Sequence, residues 1–289
     1  MYNLFMKNYS TVIVHEKYSN YLETSLEITS KNNHIYLIGN KELSYFENEN
    51  ITFVDIKKYI NIEPLKVLRE NFVNYGAKDD LTEIFWFSRV FVINEFLNEY
   101  NLKGVFNIDS DNILLQDINK YPFSKNNALC ISKNWHPNYL TASIHAGLVS
   151  KEFCEEYIRL YFDIFINKSK FNLVENKINY HKTNNGGIAD MTIYYLLYSE
   201  NIIEIQNLLE PVIFNNNKNV FINNFSNSEG YTHQDQYIKS GKYLKIKSNT
   251  NGNFIFDNIS GESLNLMNIH YQGKAKKKLG KLLKYKLNF

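Results

Sequence analysis

The chain has 289 residues, of which 44% are hydrophobic and 15% aromatic, so it can bury a large core and does not have a disordered composition. A net charge of +2 gives no bulk electrostatic reason to expect nucleic-acid binding. Two cysteines are too few for a disulfide framework, no apolar stretch reaches the length of a membrane span, and residues 1–7 lack a signal-peptide pattern. We therefore expect a cytoplasmic globular protein.

Strands and helices alternate along the chain, which predicts an α/β fold with a mostly parallel central sheet and helices on both faces. Asp80, with Glu83 as a capping-box acid, predicts the start of one helix. Residues 214–260 are rich in Asn, Ser and Gly and predict loops and hairpins over the functional site. In chain order, hydrophobic periodicity predicts strands at 11–15, 34–38, 51–55, 105–108, 128–132 and 143–149, and helices at 18–30, 80–100, 151–167 and 188–199.

The most informative segment is residues 104–112, Gly-Val-Phe-Asn-Ile-Asp-Ser-Asp-Asn, in which an apolar strand ends in Asp109 and Asp111. Ligands of open α/β sheets bind outside the carboxyl ends of the strands, and two acids there are costly to bury without a positive charge between them. A divalent cation would meet this need. The structural alternative is a turn in which Asp109 caps the next element of the chain. An EF-hand calcium loop is excluded, because apolar residues stand where it needs an oxygen ligand and a glycine.

A second motif lies near the C-terminus, where an apolar segment ends in His270 and is followed by Gly273 and Lys276. Neutral histidine can ligate manganese-like ions. Glycine lets the backbone approach a phosphate, and lysine supplies a positive charge for it. A lone histidine is more often structural. In this spacing, together with an acid pair upstream, we favour a metal and phosphate site.

With these two motifs the chain resembles glycosyltransferases of the GT-A fold, most of all the retaining family 8, which includes glycogenin and bacterial lipooligosaccharide galactosyltransferases. That family has a D-x-D motif after a central strand and an H-x-x-G-x-x-K motif near the end. Both motifs stand here, as Asp109-Ser110-Asp111 and as His270, Gly273 and Lys276. The resemblance implies a Rossmann-like fold that binds a UDP-sugar. It also implies that Mn²⁺ (or Mg²⁺) is bound by the set Asp109, Asp111 and His270, and the diphosphate by the set Ser110, Gly273 and Lys276.

Weaker matches concern the sugar side of the expected site. Arg89 stands where the family has an arginine that contacts the donor, and a solvated surface arginine is the alternative. His145 and Gly147 stand where the family usually has Asn-x-Gly touching the donor sugar, and the histidine departs from that pattern. Asp190 follows a loop that ends in Gly187, and it matches an aspartate that meets sugar hydroxyls. Inverting GT-A enzymes place their catalytic base at a similar point, so Asp190 is the candidate catalytic residue, and it would be the base if the reaction inverts configuration. We take Gly187 as a substrate-binding residue. A helix N-terminal acid stabilised by the dipole is the alternative for Asp190.

The C-terminal segment, residues 274–289, carries seven lysines among leucines and no acid. A basic amphipathic segment can lie on an anionic membrane surface, where each lysine contributes about 1 kcal/mol. The alternative is a solvated basic helix. We expect this segment to contact the inner face of a membrane, because acceptors of such enzymes are often lipid-linked.

These patterns predict a single GT-A catalytic domain over residues 1–270, with a donor-binding part at about 1–125, an acceptor-side part at about 126–270, and a basic segment at 271–289. The expected activity is metal-dependent transfer of a hexose from a UDP-sugar to a glycan or lipid-linked acceptor. It would serve bacterial surface polysaccharide or lipooligosaccharide synthesis, with retention of configuration. Two alternatives stay open: a metal-dependent phosphatase of the haloacid-dehalogenase type, and a non-catalytic glycan- or nucleotide-binding protein on the same fold.

Overall fold

A computed structural model describes residues 8–132, 136–214, 217–225, 237, 244–249, 252–277 and 279 of the chain. The helices of this described part are α1 (Asn20–Thr29), α2 (Glu63–Glu70), α3 (Asp80–Glu99), α4 (Lys151–Tyr161), α5 (Asn172–His181) and α6 (Asp190–Ser199). Its strands are β1 (Thr11–His15), β2 (Ile35–Gly39), β3 (Ile51–Asp55), β4 (Gly104–Ile108), β5 (Asn112–Leu114), β6 (Ala128–Ser132), β7 (Thr141–Ser150), β8 (Gln206–Asn207), β9 (Val212–Phe214), β10 (Asn217–Val220), β11 (Lys247–Asn249), β12 (Gly252–Phe256), β13 (Ser263–Leu266) and β14 (Asn268–His270).

The central sheet has seven strands in the order β3-β2-β1-β4-β7-β6-β8. β3, β2, β1 and β4 are parallel to one another, β7 is antiparallel to both β4 and β6, and β8 is parallel to β6. The α/β class and the mostly parallel sheet predicted from the sequence are therefore confirmed. The bounds of the predicted strands agree with the observed ones to within two residues.

Helices cover both faces of this sheet, because the side chains of its strands alternate between two apolar clusters. In β1, Val12 and Val14 pack into the cluster that includes α3, α4 and α6, whereas Ile13 packs into the cluster that includes Leu22 and Leu26 of α1. The near-continuous apolar run of β1 is what a strand buried on both faces requires. The polar ends of such strands are where a site can form.

The start of α3 differs from the prediction. Asp79, not Asp80, is the N-cap, and its carboxylate accepts hydrogen bonds from the backbone N of Thr82 at 3.0 Å and from its hydroxyl at 2.7 Å. Glu83 does not close a capping box, because it is buried and accepts a bond from the backbone N of Lys78 at 3.1 Å. The Thr82 hydroxyl thus adds a second bond to the Asp79 carboxylate, which holds it at the helix N-terminus.

Two short helices, α2 and α5, were not predicted, because each has too few buried apolar residues to show a helical periodicity in the sequence. α2 buries Leu65 and Leu68, and α5 buries Val174. The helix predicted over 151–167 is divided. α4 ends at Tyr161, and residues 162–166 continue it as a wider π-helical turn. The helix predicted over 188–199 begins two residues later, at Asp190.

The C-terminal third forms a second sheet in the order β11-β12-β13-β10-β9, and a separate antiparallel pair joins β14 to β5. Hairpins were predicted for residues 214–260, and the described part of this region contains β11 and β12 as an antiparallel pair. Tyr271, Ala275 and Leu279 are buried in the apolar cluster of this lobe, so the described start of the basic segment packs on the fold. The rest of that segment, residues 280–289, lies outside the described residues.

Among the described residues, we find no helix that combines the length and the apolar character needed to cross a membrane.

Candidate functional site

The site lies where the order of the central sheet reverses. The chain moves outward from β1 to β2 and β3, and then returns to place β4 on the other side of β1. Crevices at such switch points, outside the carboxyl ends of the strands, are the usual ligand sites of open α/β sheets. A cavity of about 270 Å³ opens there, between His15 at the end of β1 and the loop Asp109–Asp111 after β4. The sequence-predicted acid pair therefore faces a cavity.

Backbone hydrogen bonds fix the acid loop at the sheet edge. The N–H of Asp109 donates to the carbonyl of His145 at 2.9 Å, and the N–H of Asn112 donates to the carbonyl of Asp109 at 2.9 Å. On the far side, the N–H of Tyr271 donates to the carbonyl of Asp111 at 2.9 Å. The loop is therefore held from β7, from within itself and from the segment after β14. Its two carboxylates have little freedom to turn away.

The antiparallel pairing of β5 with β14 brings the second motif to the first. In this register Asn112 lies opposite His270, one residue after Asp111. His270 Nε2 lies 3.4 Å from Asp111 Oδ1. The pairing of this three-residue strand thus brings together residues about 160 positions apart in the sequence, and the two motifs form one site.

Asp109, Asp111 and His270 form a cluster whose ligand atoms all lie within 4.8 Å of one another. The imidazole is oriented for coordination, because its Nδ1 donates to the backbone carbonyl of Asn223 at 2.6 Å, which leaves Nε2 facing the acids. Two carboxylates suit Mn²⁺ or Mg²⁺, and the imidazole favours a borderline ion such as Mn²⁺ over Mg²⁺. The donor set fits a divalent cation.

Positive side chains compensate the buried Asp111, which is only 5% exposed. Lys276 Nζ lies 3.0 Å from Asp111 Oδ2 and 4.8 Å from the ring centroid of Tyr21. Burial alone would raise the pKa of Asp111, but His270 and Lys276 outweigh it and hold that pKa well below its usual range. Burial would lower the pKa of His270 and of Lys276, and Asp111 outweighs it and raises both. Without a metal, this carboxylate is therefore ionised and paired.

Arg89 is not the solvated surface arginine that was the alternative. It lies on α3 between two acids, with its side chain only 11% exposed: Nη1 donates to Asp109 Oδ1 at 2.6 Å and Nη2 donates to Asp190 Oδ2 at 2.7 Å. Burial alone would lower the pKa of Arg89, but the charges of Asp109 and Asp190 outweigh it and raise it well above the usual value. Arg89 thus links the acid loop to the N-terminus of α6.

Asp190 lies at the edge of the same cavity, with both carboxylate oxygens engaged. Besides Arg89, the hydroxyl of Tyr194 donates to Oδ2 at 3.2 Å and the backbone N of Met191 donates to Oδ1 at 2.8 Å. The aspartate is therefore oriented both by the helix it begins and by Arg89.

The remaining sequence-predicted residues lie at different depths. Ser110 lines the cavity. Gly273 has a φ of 58°, which glycine adopts without strain, and it begins the turn that carries Lys276. Gly147 lies inside the sheet, where a Cβ atom would stand 3.1 Å from the carbonyl O of Ala128. At Gly187, a Cβ atom would stand 2.5 Å from the carbonyl O of Tyr75, so packing between loops accounts for this glycine.

His145 contributes to the lining of the cavity but is almost fully buried. It is 1% exposed, and its ring is stacked on that of His270, with centroids 4.2 Å apart and planes 12° from parallel. Its Nε2 lies 3.3 Å from the carbonyl of Ile222. Burial, together with the charge of His270, holds the pKa of His145 well below its usual range.

Sequence reasoning missed several residues that line the cavity. His15 ends β1 beside β4, so the rule that ligands bind at strand ends could have found it. Most of the others follow no local pattern and come from several different elements. Among them are Tyr21, Trp86, Ser132, Thr141, Ser143 and Asn223, from α1, α3, β6, β7 and the segment after β10.

Comparison with known proteins gives structural neighbours only. Neither protein-family models nor curated sequences match the chain. Mouse xyloside xylosyltransferase 1 is similar with a TM-score of 0.48 and 11% identity, over 69% of this chain and 84% of that chain. PaToxG glycosyltransferase gives 0.42 and 12%, over 66% and 69%. A glycosyltransferase involved in glycosylation of the major capsid of PBCV-1 gives 0.40 and 9%, over 95% and 98%.

These neighbours are glycosyltransferases, but the identities and TM-scores are too low to assign a family or an activity to the chain. The functional conclusion therefore has to rest on the site.

Proposed function

We propose that the protein is a metal-dependent glycosyltransferase of the GT-A type that transfers a hexose from a UDP-sugar to a glycan or lipid-linked acceptor. One observation carries this proposal. Asp109, Asp111 and His270 converge at the switch-point cavity, and Lys276 lies 3.0 Å from Asp111. Two acids, an imidazole and an ammonium group at one cavity suit a cation together with a diphosphate better than either alone.

The chemical need is to make a nucleoside diphosphate leave an anomeric carbon. A cation held by Asp109, Asp111 and His270 would supply Lewis-acid neutralisation of the charge that develops on the β-phosphate oxygen. Lys276 adds a fixed positive charge at the same end of the cavity, and the backbone of the turn that begins at Gly273 lies beside it. Because these groups are held in place before the donor arrives, they cost little reorganisation at the moment of reaction.

Arg89 and Asp190 lie on the side of the cavity where the sugar would be placed. Their ion pair, at 2.7 Å, orients both groups, and Asp190 can offer carboxylate lone pairs to sugar hydroxyls. Cavity-lining hydroxyls of Thr141 and Ser143 provide further neutral partners. We propose that residues at about 126–270, together with Arg89, shape the sugar and acceptor subsites, whereas residues 1–125, with His270 and Lys276, hold the nucleotide diphosphate and its cation.

Retention of configuration is the stereochemical course that this arrangement favours. An inverting enzyme needs a carboxylate free to take the proton of the acceptor hydroxyl. Asp190 already accepts bonds from Arg89, Tyr194 and the backbone of Met191, so it is built to hold an orientation. We therefore assign Asp190 to orienting the donor sugar and place attack on the leaving-group side, where the β-phosphate oxygen that leaves the anomeric carbon can take the proton of the acceptor hydroxyl.

The direct test is release of UDP. The protein is incubated with a panel of UDP-sugars and Mn²⁺, with and without EDTA, and free UDP is measured together with the anomeric configuration of the product by NMR. We expect release from at least one donor, loss of release in EDTA, and a product of retained configuration. UDP release that EDTA does not diminish, or no release from any donor, would count against the proposal.

Two further measurements distinguish the alternatives. Hydrolysis of a generic phosphate ester, with no use of UDP-sugars, would identify a metal-dependent phosphatase. Stabilisation by UDP and Mn²⁺ in a thermal melt, without turnover of any donor, would identify a binding protein on the same fold.

A further inference from the structure

Buried polar side chains behind the metal cluster form a closed ring of hydrogen bonds. Asn112 and Asn268 are 0% exposed and His145 is 1% exposed. Among the described residues, none of these three side chains has a hydrogen bond to the carboxylate of Asp109 or Asp111. Burying two amides and an imidazole is costly unless they are bonded, so their bonding pattern indicates what they stabilise.

The ring joins β5, β7, β14 and the segment after β10. Asn112 Nδ2 donates to the carbonyl of His145 at 2.6 Å, and Asn268 Nδ2 donates to Asn112 Oδ1 at 3.0 Å. Asn268 also clamps the backbone of Ile222: Nδ2 donates to its carbonyl at 3.2 Å, and Oδ1 accepts from its N–H at 2.7 Å. His145 Nε2 closes the ring by donating to the same carbonyl at 3.3 Å.

Each amide in this ring has a defined orientation. Asn268 Oδ1 faces a backbone N–H, which can only donate, and its Nδ2 faces a carbonyl, which can only accept. Asn112 Nδ2 likewise faces a carbonyl. A flipped amide would place like groups against each other at both positions. The ring therefore has one satisfied arrangement.

Two contacts connect the ring to His270. Ile222 is followed by Asn223, whose carbonyl accepts the Nδ1–H of His270 at 2.6 Å, so clamping Ile222 fixes the acceptor that orients the imidazole. The imidazole of His145 covers one face of the His270 imidazole, with the two centroids 4.2 Å apart. One contact sets the in-plane direction of the imidazole and the other sets its plane.

We propose that Asn112, Asn268 and His145 are positioning residues that hold His270 with Nε2 directed at Asp109 and Asp111, and thereby set the affinity of the site for its cation. The effect on cation affinity rests on the proposed function, which includes the metal site. The orientation of His270 by these three residues does not depend on that function. Groups that orient metal-ligating histidines change metal affinity by about 10–100-fold when they are removed.

The main variant is Asn268→Leu, which keeps the branching of the side-chain heavy atoms and removes the amide from the ring. His145→Phe is a second variant that preserves an aromatic face on His270 and removes only the bond to Ile222, so it is the one expected to fold if the first does not. Asn127→Leu is the matched control. Asn127 is 2% exposed and also bonds across the chain, accepting from the backbone N of Ser150 at 2.9 Å, but at the opposite end of the sheet.

Two measurements are made on each full-length variant. Mn²⁺ binding is titrated by following the EPR signal of the free ion. The Nδ1–H proton of His270 is followed by NMR as a slowly exchanging downfield imidazole resonance, assigned by its absence in His270→Gln. We expect Asn268→Leu to weaken Mn²⁺ binding by about tenfold or more and to lose the slow resonance. His145→Phe should weaken binding by less, and Asn127→Leu should change neither.

The outcomes distinguish the proposed metal site from the proposed positioning of His270. If the wild type binds Mn²⁺ and both ring variants bind it equally well, the positioning proposal is overturned while the metal site stands. If the wild type binds no Mn²⁺ but shows the slow His270 resonance, and Asn268→Leu loses it, the metal site is overturned and the orientation of His270 by the ring is supported. A slow resonance unchanged in both ring variants would also overturn the positioning proposal.

Discussion

The Asp111 carboxylate contacts two side chains at once, His270 on Oδ1 at 3.4 Å and Lys276 on Oδ2 at 3.0 Å. A metal bound here would share the Asp111 carboxylate with Lys276, so its binding depends on the negative charge of Asp111. Asp109, by contrast, is more exposed and is bound to Arg89. Asp111 is therefore the more sensitive of the two acids.

We expect Asp111→Asn to lower Mn²⁺-dependent UDP release by at least about 10²-fold, the scale seen when one preorganised electrostatic contact is removed. The amide keeps the shape of the side chain but has no negative charge to offer a cation or the ammonium group of Lys276. Asp117→Asn is the control, because Asp117 is an acid that caps a single turn of 3₁₀ helix through the backbone N of Asn119. Full activity of Asp111→Asn would remove this residue from the metal site.

Lys177 is a second residue whose environment gives a test, this time of stability. Its Nζ donates to the carbonyl of Leu140 at 3.2 Å and lies 3.1 Å from the hydroxyl of Thr192 on α6. Burial lowers its pKa from 10.5 to about 8. No carboxylate compensates it in these contacts, so the charged form is destabilised in the folded protein.

The sign of the pH effect is set by the direction of this shift. Between about pH 8 and 10.5 the unfolded chain keeps the Lys177 proton longer than the folded protein does, so the free energy of unfolding rises with pH in that window. The gain is at most about 3 kcal/mol. Urea unfolding of the wild type and of Lys177→Met at several pH values measures it, because all other titrations cancel in the difference. A difference that stays constant or falls from pH 8 to 10 would contradict the assignment.

At the scale of elements, the N-terminus of α3 provides a test that sets the structure against the sequence prediction. We expect Asp79→Ala to lower the free energy of unfolding, because it removes the N-cap of α3. Asp80→Ala is the matched control and should cost less, because the Asp80 carboxylate accepts a bond from the Asn74 side chain and does not cap the helix. A larger loss for Asp80→Ala in chemical denaturation would favour Asp80 as the cap.

The central strands could be predicted from the sequence because each is a short apolar run bounded by polar residues, and two-sided burial makes that pattern strong. The place of the acid pair at the end of β4 followed from the same pattern. β5 and β14 could not be predicted in the same way. Each has three residues, and Asn112 and Asn268 are polar although both are fully buried.

The convergence of the two motifs depends on that pairing. Periodicity does not specify which distant strand will lie opposite Asn112, so the closeness of Asp111 to His270 could be suggested only by the family resemblance. The contacts of Arg89 and His145 could not be predicted for a related reason. A buried arginine and a surface arginine look alike in a sequence, and only the fold shows that Arg89 bridges Asp109 and Asp190.

At the scale of the whole molecule, the cavity gathers groups from nearly the full described length, from Val14 in β1 to Lys276 after β14. β14 pairs with β5, which follows β4 of the central sheet along the chain, and the last residue of β14 supplies a proposed ligand. A ligand that binds here therefore links the C-terminal lobe to the central sheet, and its binding energy stabilises contacts between segments that are far apart in sequence.

We therefore expect Mn²⁺ and UDP together to slow amide hydrogen exchange in β14 and in the ends of β1 and β4 at once, because local opening of any of these segments would release the ligand. At a ligand concentration of about 100 times the dissociation constant, the stabilisation amounts to about 2.7 kcal/mol. Hydrogen exchange with mass spectrometry, with EDTA and UDP as the metal-free reference, measures the effect peptide by peptide. Asp111→Asn should abolish it. Protection confined to β1 and β4, with β14 unchanged, would show that His270 takes no part in the bound state and would leave the acid pair as the whole metal site.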